Sequence, residues 1–288
     1  MTLRAVTGVS MPIVAQRPGN NALDGIPLGI LNKLNYYEYF EDFDNTEGLS
    51  TTSGDGQTWV LVALNAATGH TFTNEPASGI AGGGVAMLTH TSTVAHNGAY
   101  VIRQLAAGAG RPGAMPHPLA NNTVTVPGGF PVSFHFGFSM QKSLTTGTAM
   151  GGIGPAAGFS AIISAASAPV YGALAADGIS VFWGANTSVV TAVLSQGAGG
   201  VVGTGSIDTG LTAGSAQPFC RVDAKVVYTS LTTGYTTVVV NDKVAMSVQS
   251  ILTPSVSPML VYLGGTSTTT TPARAAFDYI YVAMPRRL

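Results

Sequence analysis

Apolar and polar residues alternate along much of the chain, and the alternation is clearest between Pro131 and Met140. There the apolar residues fall on one face of an extended segment and the small or polar residues on the other: Val132, Phe134, Phe136, Phe138 and Met140 against Ser133, His135, Gly137 and Ser139. A period of two over nine residues predicts a β-strand with one buried face. The sequence contains no segment with a sustained helical period.

Similar but shorter alternating segments occur between Gly-, Pro-, Asn- and Thr-rich stretches, which are typical of turns and loops. Besides Pro131–Met140, they predict strands over Tyr36–Phe43, Thr58–Leu64, Val85–Thr89, Ala99–Leu105, Phe159–Ser164, Gly178–Trp183, Thr187–Leu194, Phe219–Thr229, Tyr235–Asn241, Lys243–Val248, Pro258–Gly265 and Ala276–Met284. Gly/Ala/Thr segments between them are predicted to be loops. Many short strands separated by turns predict an all-β sandwich or barrel.

The segment from Pro218 to Met284 has the most regular pattern in the chain. Asn241-Asp242 tolerates positive φ and predicts a tight hairpin between two of its strands. The last strand, Ala276–Met284, is apolar on both faces, which predicts a central strand that is covered on both sides. Cys220 alternates with Val222 and other apolar residues, so we predict a buried thiol.

The first 35 residues differ in texture from the rest. Prolines at positions 12, 18 and 27, together with Gly19 and two asparagines, prevent long regular structure. We therefore predict an extended N-terminal arm over residues 1–35, followed by a single β-sandwich domain over residues 36–288.

Charged residues make up 9% of the chain and the net charge is -1, whereas about 25% of residues are charged in average soluble proteins. Nucleic-acid binding needs grouped Lys and Arg, and the largest basic cluster here is Arg286-Arg287, so nucleic acid is not expected as a partner. The uncharged stretch Ser143–Ala176 is too rich in Gly, Ser and Pro to span a membrane. A surface of this kind suits a protein that is packed in an assembly or lies outside a cell.

Several segments together resemble a known family. They are the aromatic-acidic strand FEDFDN (Phe40–Asn45), the strand RVDAKVVY, the strand pair TTVVVNDKVAMSV and the closing strand DYIYVA. This pattern, over roughly Tyr36–Pro285, resembles the concanavalin A-like jelly roll of laminarinases and laminin-G-like domains, in the version common among bacteriophage virion proteins. The resemblance implies a jelly-roll sandwich in which the first and last strands pair.

The resemblance also implies a function. It indicates a non-enzymatic virion structural protein, such as a capsid decoration (cement), head-fibre or tail protein, that is attached by its N-terminal arm. Its expected partners are the major capsid protein or other virion proteins, and a homo-oligomer, by analogy a trimer. The alternatives are a carbohydrate- or receptor-binding tail or fibre domain, with a surface glycan as ligand, and a degenerate glycan hydrolase.

Carboxylates are concentrated between Glu38 and Glu47, which holds five of the thirteen acidic residues. Asp42, Asp44 and Glu47 resemble the laminarinase catalytic motif, but Asp42 replaces its first glutamate and the motif lies on the first strand. Retaining glycosidases need two carboxyl groups about 5 Å apart. We predict a solvated strand edge and no catalytic residues; a Ca²⁺ loop from the same three residues lacks the expected ligand spacing.

Other candidate sites also favour structural roles. Trp59 and Trp183 could stack on a sugar ring, but each alternates with core-like residues, so core packing is predicted. The five histidines show no metal-ligand spacing, and His135 is predicted to be a surface or interface residue. The glycines from Gly108 to Gly113 match a dinucleotide fingerprint, but Pro112 prevents the helix that it requires. No cofactor and no metal are expected.

Overall fold

The structure is a computed structural model. It describes residues 36–43, 49–50, 59–63, 71–76, 84–90, 98–104, 132–155, 163–164, 170–171, 178–196, 200–214, 218–229, 233–251, 259–267 and 273–285. The predicted arm, residues 1–35, lies outside these ranges, and so do Asp44 and Glu47.

The described residues form β-strands and turns. The strands are β1 (Tyr36–Glu41), β2 (Leu49–Ser50), β3 (Trp59–Ala63), β4 (Thr71–Pro76), β5 (Gly84–His90), β6 (Gly98–Gln104), β7 (Val132–Lys142), β8 (Gly147–Pro155), β9 (Ile163–Ser164), β10 (Val170–Tyr171), β11 (Gly178–Trp183), β12 (Val189–Gln196), β13 (Gly200–Asp208), β14 (Cys220–Tyr228), β15 (Thr233–Val240), β16 (Lys243–Ile251), β17 (Met259–Ser267), β18 (Ala273–Phe277) and β19 (Ile280–Pro285). Within these ranges no helix is long and apolar enough to cross a membrane.

Two large sheets contain most of the described strands. The nine-stranded sheet has the order β16-β15-β14-β7-β18-β5-β4, with β19 also paired to β7 and β1 paired to β19. The eight-stranded sheet has the order β13-β12-β11-β8-β17-β6-β3-β2. Neighbours are antiparallel except β2 and β3, which are parallel. The predicted all-β, antiparallel architecture is confirmed.

The first and last described strands pair, as the resemblance implies. β1 runs antiparallel to β19 from Tyr36 opposite Pro285 to Glu41 opposite Ile280. Residues distant in sequence therefore close the nine-stranded sheet, and one core is built from both ends of the described chain.

The predicted strand Ala276–Met284 is interrupted. Ala276 lies opposite Gln141 and Ile280 lies opposite Phe138, so four steps on one strand match three on β7, which is a β-bulge. The bulge is held by Ser139, whose hydroxyl accepts a hydrogen bond from the Asp278 amide at 3.0 Å. Beyond it the chain leaves β5 and continues beside β1. The prediction that this segment is central and buried on both faces is confirmed by burial from Tyr279 to Ala283.

The core lies between the two sheets. From β7 it receives Phe136, Phe138 and Met140, all fully buried and on the face that the alternating pattern predicts. The facing sheet contributes buried side chains such as Val181 and Trp183. At about 25 cal/mol per Å² of buried apolar surface, this interface is the main favourable contribution to folding.

The glycine-rich strands β8 and β13 of the eight-stranded sheet were predicted to be loops, and that prediction is wrong. β8 and β13 are rich in glycine, which weakens the period-two signal. Packing requires these glycines. A Cβ on Gly151 would lie 2.6 Å from the Phe138 ring, and a Cβ on Gly205 would lie 2.0 Å from the carbonyl oxygen of Ala245 on β16. Gly205 thus lets the edges of the two sheets approach closely.

The predicted hairpin between β15 and β16 is confirmed. Asn241 and Asp242 have φ of 46° and 66°, as a tight hairpin with two left-handed residues requires. The Asn241 side chain accepts a hydrogen bond from the Arg221 amide at 2.8 Å. The exposed Arg221–Asp242 ion pair contributes little, because solvent screens it.

Candidate functional site

Among the described residues, a group of chemically active side chains lies on the nine-stranded sheet, on the face opposite the core. Adjacent positions on β7, β14 and β19 place His135 beside Lys225 and Ala283, and place Gly137 beside Asp223 and Tyr281. We call this set, with Tyr279, the polar sheet face. His135, Asp223, Tyr279 and Tyr281 are all buried. They are therefore not presented to solvent as a shallow open site would require.

A tyrosine–carboxylate hydrogen bond crosses the middle of the polar sheet face. The Tyr281 hydroxyl donates to Asp223 Oδ1 at 2.8 Å, passing over Gly137 on the strand between them. A Cβ on Gly137 would lie 2.3 Å from the Tyr281 ring, so only glycine leaves room for this crossing. Tyr279 stacks on Tyr281 with the ring centroids 6.3 Å apart. The carboxylate thus takes part in a link between three strands.

The other sheet contains the same arrangement, a tyrosine that crosses a glycine on the adjacent strand to reach an acceptor on the strand beyond. The Tyr262 hydroxyl on β17 donates to Ser180 Oγ on β11 at 2.7 Å, and it crosses Gly152 on β8. Burial raises the pKa of Tyr262 well above its usual value, so the phenol stays protonated. In both sheets a buried tyrosine and a glycine on the next strand tie three strands together.

The acidic strand is only partly described. Glu41 accepts hydrogen bonds from the Tyr39 hydroxyl at 3.1 Å and from the Phe43 amide at 3.3 Å, and Asp42 is exposed. Phe43 has a φ of 58° and turns into the core against Trp59, with ring centroids 5.8 Å apart. Of the three residues in the hydrolase and Ca²⁺ hypotheses, only Asp42 lies in the described ranges.

Both tryptophans are core residues, as predicted. Trp59 and Trp183 are buried, so neither ring can stack on a sugar from solvent. Cys220 is also buried, as predicted, and burial raises its thiol pKa to about 12. Because the thiolate is the reactive form, this cysteine is not a nucleophile near neutral pH.

The prediction of a surface position for His135 is wrong, because this side chain is fully buried. His90 lies on β5, and the other three histidines lie outside the described ranges. Among the described residues, no three His, Cys, Asp or Glu side chains come close enough together to hold a metal ion.

Lys142 is a functional candidate that the sequence did not reveal. It is the last residue of β7, on the core face, and it is 1% exposed. Its Nζ donates to the carbonyl oxygens of Gly184 at 2.5 Å and Thr187 at 3.0 Å, and it lies 4.8 Å from the centroid of the Trp183 ring. The period of two that ends at Met140 extends to position 142, so the sequence could have indicated that Lys142 lies on the core face. Lys142 thus connects one sheet to the β11–β12 turn (residues 184–188) of the other.

Burial lowers the pKa of Lys142 from 10.5 to about 8. The folded protein then binds fewer protons than the unfolded chain between pH 8 and 10.5, so stability rises with pH in this window. We expect the free energy of unfolding to increase by about 1 kcal/mol between pH 7 and 9. This is less than the roughly 1.4 kcal/mol per pH unit that a difference of one full bound proton would give.

The measurement is urea unfolding at pH 7, 8 and 9 for the native chain and for Lys142→Met. The window ends at pH 9 because the raised pKa of Cys220 removes stability above the ordinary thiol pKa of 9.0. A gain of the same size in Lys142→Met would show that another group is responsible.

No protein-family model matches this sequence, and a comparison with curated proteins finds no match. Solved structures do match. A Bacillus subtilis protein of unknown function with a galectin-like fold is 10% identical, with 88% of this chain and 100% of that chain covered and a TM-score of 0.47. Peanut lectin is 11% identical, with 88% and 99% covered and a TM-score of 0.47. The Crh5 transglycosylase is 11% identical, with 87% and 85% covered and a TM-score of 0.45. The chain is an all-β jelly-roll sandwich, as its own strand order indicates.

Proposed function

We propose that this chain is a non-enzymatic structural protein of a bacteriophage virion, a capsid decoration (cement) or head-fibre protein that is attached by residues 1–35. The observation that carries the proposal is the burial of the polar sheet face. Its carboxylate, Asp223, is 3% exposed and accepts the hydrogen bond from Tyr281 that links the strands. Side chains used in this way stabilise a scaffold, whereas a catalytic acid must reach its substrate.

The composition supports the same proposal. With 9% charged residues, the surface offers uncharged hydroxyls, amides and backbone groups to a neighbour. Such groups pair closely without the desolvation cost of buried charge. The proposed partners are the major capsid protein or other virion proteins and further copies of this chain, as a trimer by analogy with the family that the sequence resembles.

The arm provides the test. Full-length protein is expected to sediment with purified phage particles that lack it, and a variant without residues 2–35 is expected to stay in the supernatant. A full-length variant with the arm sequence scrambled controls for length. Circular dichroism and thermal unfolding must show an unchanged sandwich in each variant. Equal sedimentation of all three proteins would contradict the role of the arm.

A carbohydrate- or receptor-binding fibre domain is the second candidate, and one observation favours it. Phe40 is 40% exposed and lies opposite Tyr281 in the β1–β19 pairing, at the border of the polar sheet face. An exposed aromatic ring can pack on the apolar face of a sugar.

This candidate predicts binding on a glycan array that Phe40→Ala abolishes and Tyr235→Ala, a change at another exposed aromatic residue, leaves intact. Equal binding by both variants would exclude Phe40 as the contact. If reducing sugar were also released, and this activity disappeared in Glu47→Gln, the degenerate hydrolase would replace both proposals.

A further inference from the structure

The β11–β12 turn is held in place by the β7–β8 turn, which connects the two sheets. Asn186 has a φ of 55°, and its amide donates to the carbonyl oxygen of Thr145 in the β7–β8 turn at 2.6 Å. This conformation directs two carbonyl groups of the turn, those of Gly184 and Thr187, toward the end of the core. Both carbonyls face the amine of Lys142, which is itself buried, and a backbone acceptor that is shielded from water costs free energy when it has no donor.

Lys142 provides donors to both carbonyls. The Thr187 oxygen also accepts from Trp183 Nε1 at 2.8 Å, so the indole, the amine and the turn form one network. An amine has enough N–H groups to donate to two carbonyls, whereas a hydroxyl has a single O–H donor. The face of the Trp183 ring covers the amine from one side.

We infer that the space beneath the β11–β12 turn, lined by Gly184 O, Thr187 O and the Trp183 ring, is a binding site for a primary amine, and that Lys142 fills it to position the turn through N–H donation. A divalent metal ion is disfavoured here, because such ions take several oxygen ligands that include carboxylates. Desolvation by burial lowers the pKa of Lys142. Arg274, which neighbours the Lys142 partner Ala275 on β18, is exposed.

Shortening the side chain makes the site testable. Lys142→Ala removes Cγ, Cδ, Cε and Nζ, which together correspond to propylamine. We expect Lys142→Ala to unfold at a lower temperature than the native chain, and added propylamine to restore stability. At ten times its dissociation constant, propylamine should raise the unfolding midpoint by about 3–6 °C.

Three comparisons separate this site from general effects of the additive. Propan-1-ol at equal concentration, and sodium chloride at equal ionic strength, are expected to give no comparable rise in Lys142→Ala. Lys142→Met fills the space without donors, so propylamine is expected to leave its midpoint unchanged. Deuterium exchange at residues 184–189 should increase in both variants and return to the native rate only in Lys142→Ala with propylamine.

Propylamine binding should also depend on pH, because the site lowers the pKa of the amine that it holds. The affinity of Lys142→Ala for propylamine is expected to increase between pH 8 and 9. If Lys142→Ala does not fold alone, the readout is its refolding yield with propylamine against propan-1-ol. Equal effects of amine and alcohol, or equal effects on the Ala and Met variants, would overturn the inference.

Discussion

Gly151→Ala is expected to destabilise the protein by about 2–3 kcal/mol, as overpacking of a rigid core does. The new methyl group would lie 2.6 Å from two carbon atoms of the Phe138 ring. Phe138 is fully buried between the sheets, so its ring cannot move aside without displacing other core side chains. Urea unfolding at pH 7 provides the measurement.

Gly184→Ala is the matched control. A methyl group there meets only the end of the exposed Thr187 side chain, at 3.0 Å, so a loss below about 0.5 kcal/mol is expected. Phe138→Leu removes part of the ring and should reduce the cost of Gly151→Ala in the double variant, because residues in contact are energetically coupled. Equal losses for Gly151→Ala and Gly184→Ala would contradict the close contact between the two sheets.

Tyr281→Phe is expected to cost about 1.5–3 kcal/mol, the range for a hydrogen bond to a charged group. Tyr262→Phe removes the same hydroxyl from an equivalent position in the other sheet, where the acceptor is the neutral Ser180. The expected loss there is about 0.5–1.5 kcal/mol. The pair therefore compares a charged with a neutral acceptor in otherwise similar buried crossings.

Unfolding free energies of both variants at pH 7 give the comparison. Gly137→Ala should also destabilise, because its methyl group would occupy the path of the Tyr281 ring. A smaller loss for Tyr281→Phe than for Tyr262→Phe would show that the link to Asp223 contributes less than its charge implies.

The strands that the sequence predicts best are those that fill the core with their own side chains. β7, β14 and β15 alternate because one face meets the core, where apolar residues such as Phe136, Val222 and Val238 are buried. β8 and β13 are missed because their partners fill the space: at Gly151 and Gly205 the packing atoms come from Phe138 and Ala245. The side chains that pack over a glycine-rich strand belong to its neighbours. The strand itself therefore shows no apolar alternation, and periodicity in the sequence cannot reveal it.

The candidate site divides in the same way. Burial of Trp59, Trp183 and Cys220 follows from local alternation and is predicted correctly. The crossing of Tyr281 over Gly137 to Asp223 depends on the register of three strands that are far apart in sequence. His135 is misplaced for a related reason, since alternation separates two faces of a strand but does not say that both are buried. Lys142 stands on the core face, where a charged residue contradicts the pattern and a turn of the opposite sheet provides its acceptors.

These observations connect the fold with the proposed role. Buried polar groups tie strands together within each sheet, and Lys142 ties one sheet to a turn of the other. In the described part of the chain, these buried polar side chains therefore stabilise the sandwich, which suits a scaffold that is carried on a particle.

The most direct test of that role is the position of the chain in a density gradient of virus particles from the cells that produce it. An antibody against the chain is expected to detect it in the band of intact particles, in a fixed ratio to the major capsid protein across the band. Detection only in the soluble fractions at the top of the gradient would contradict the proposal.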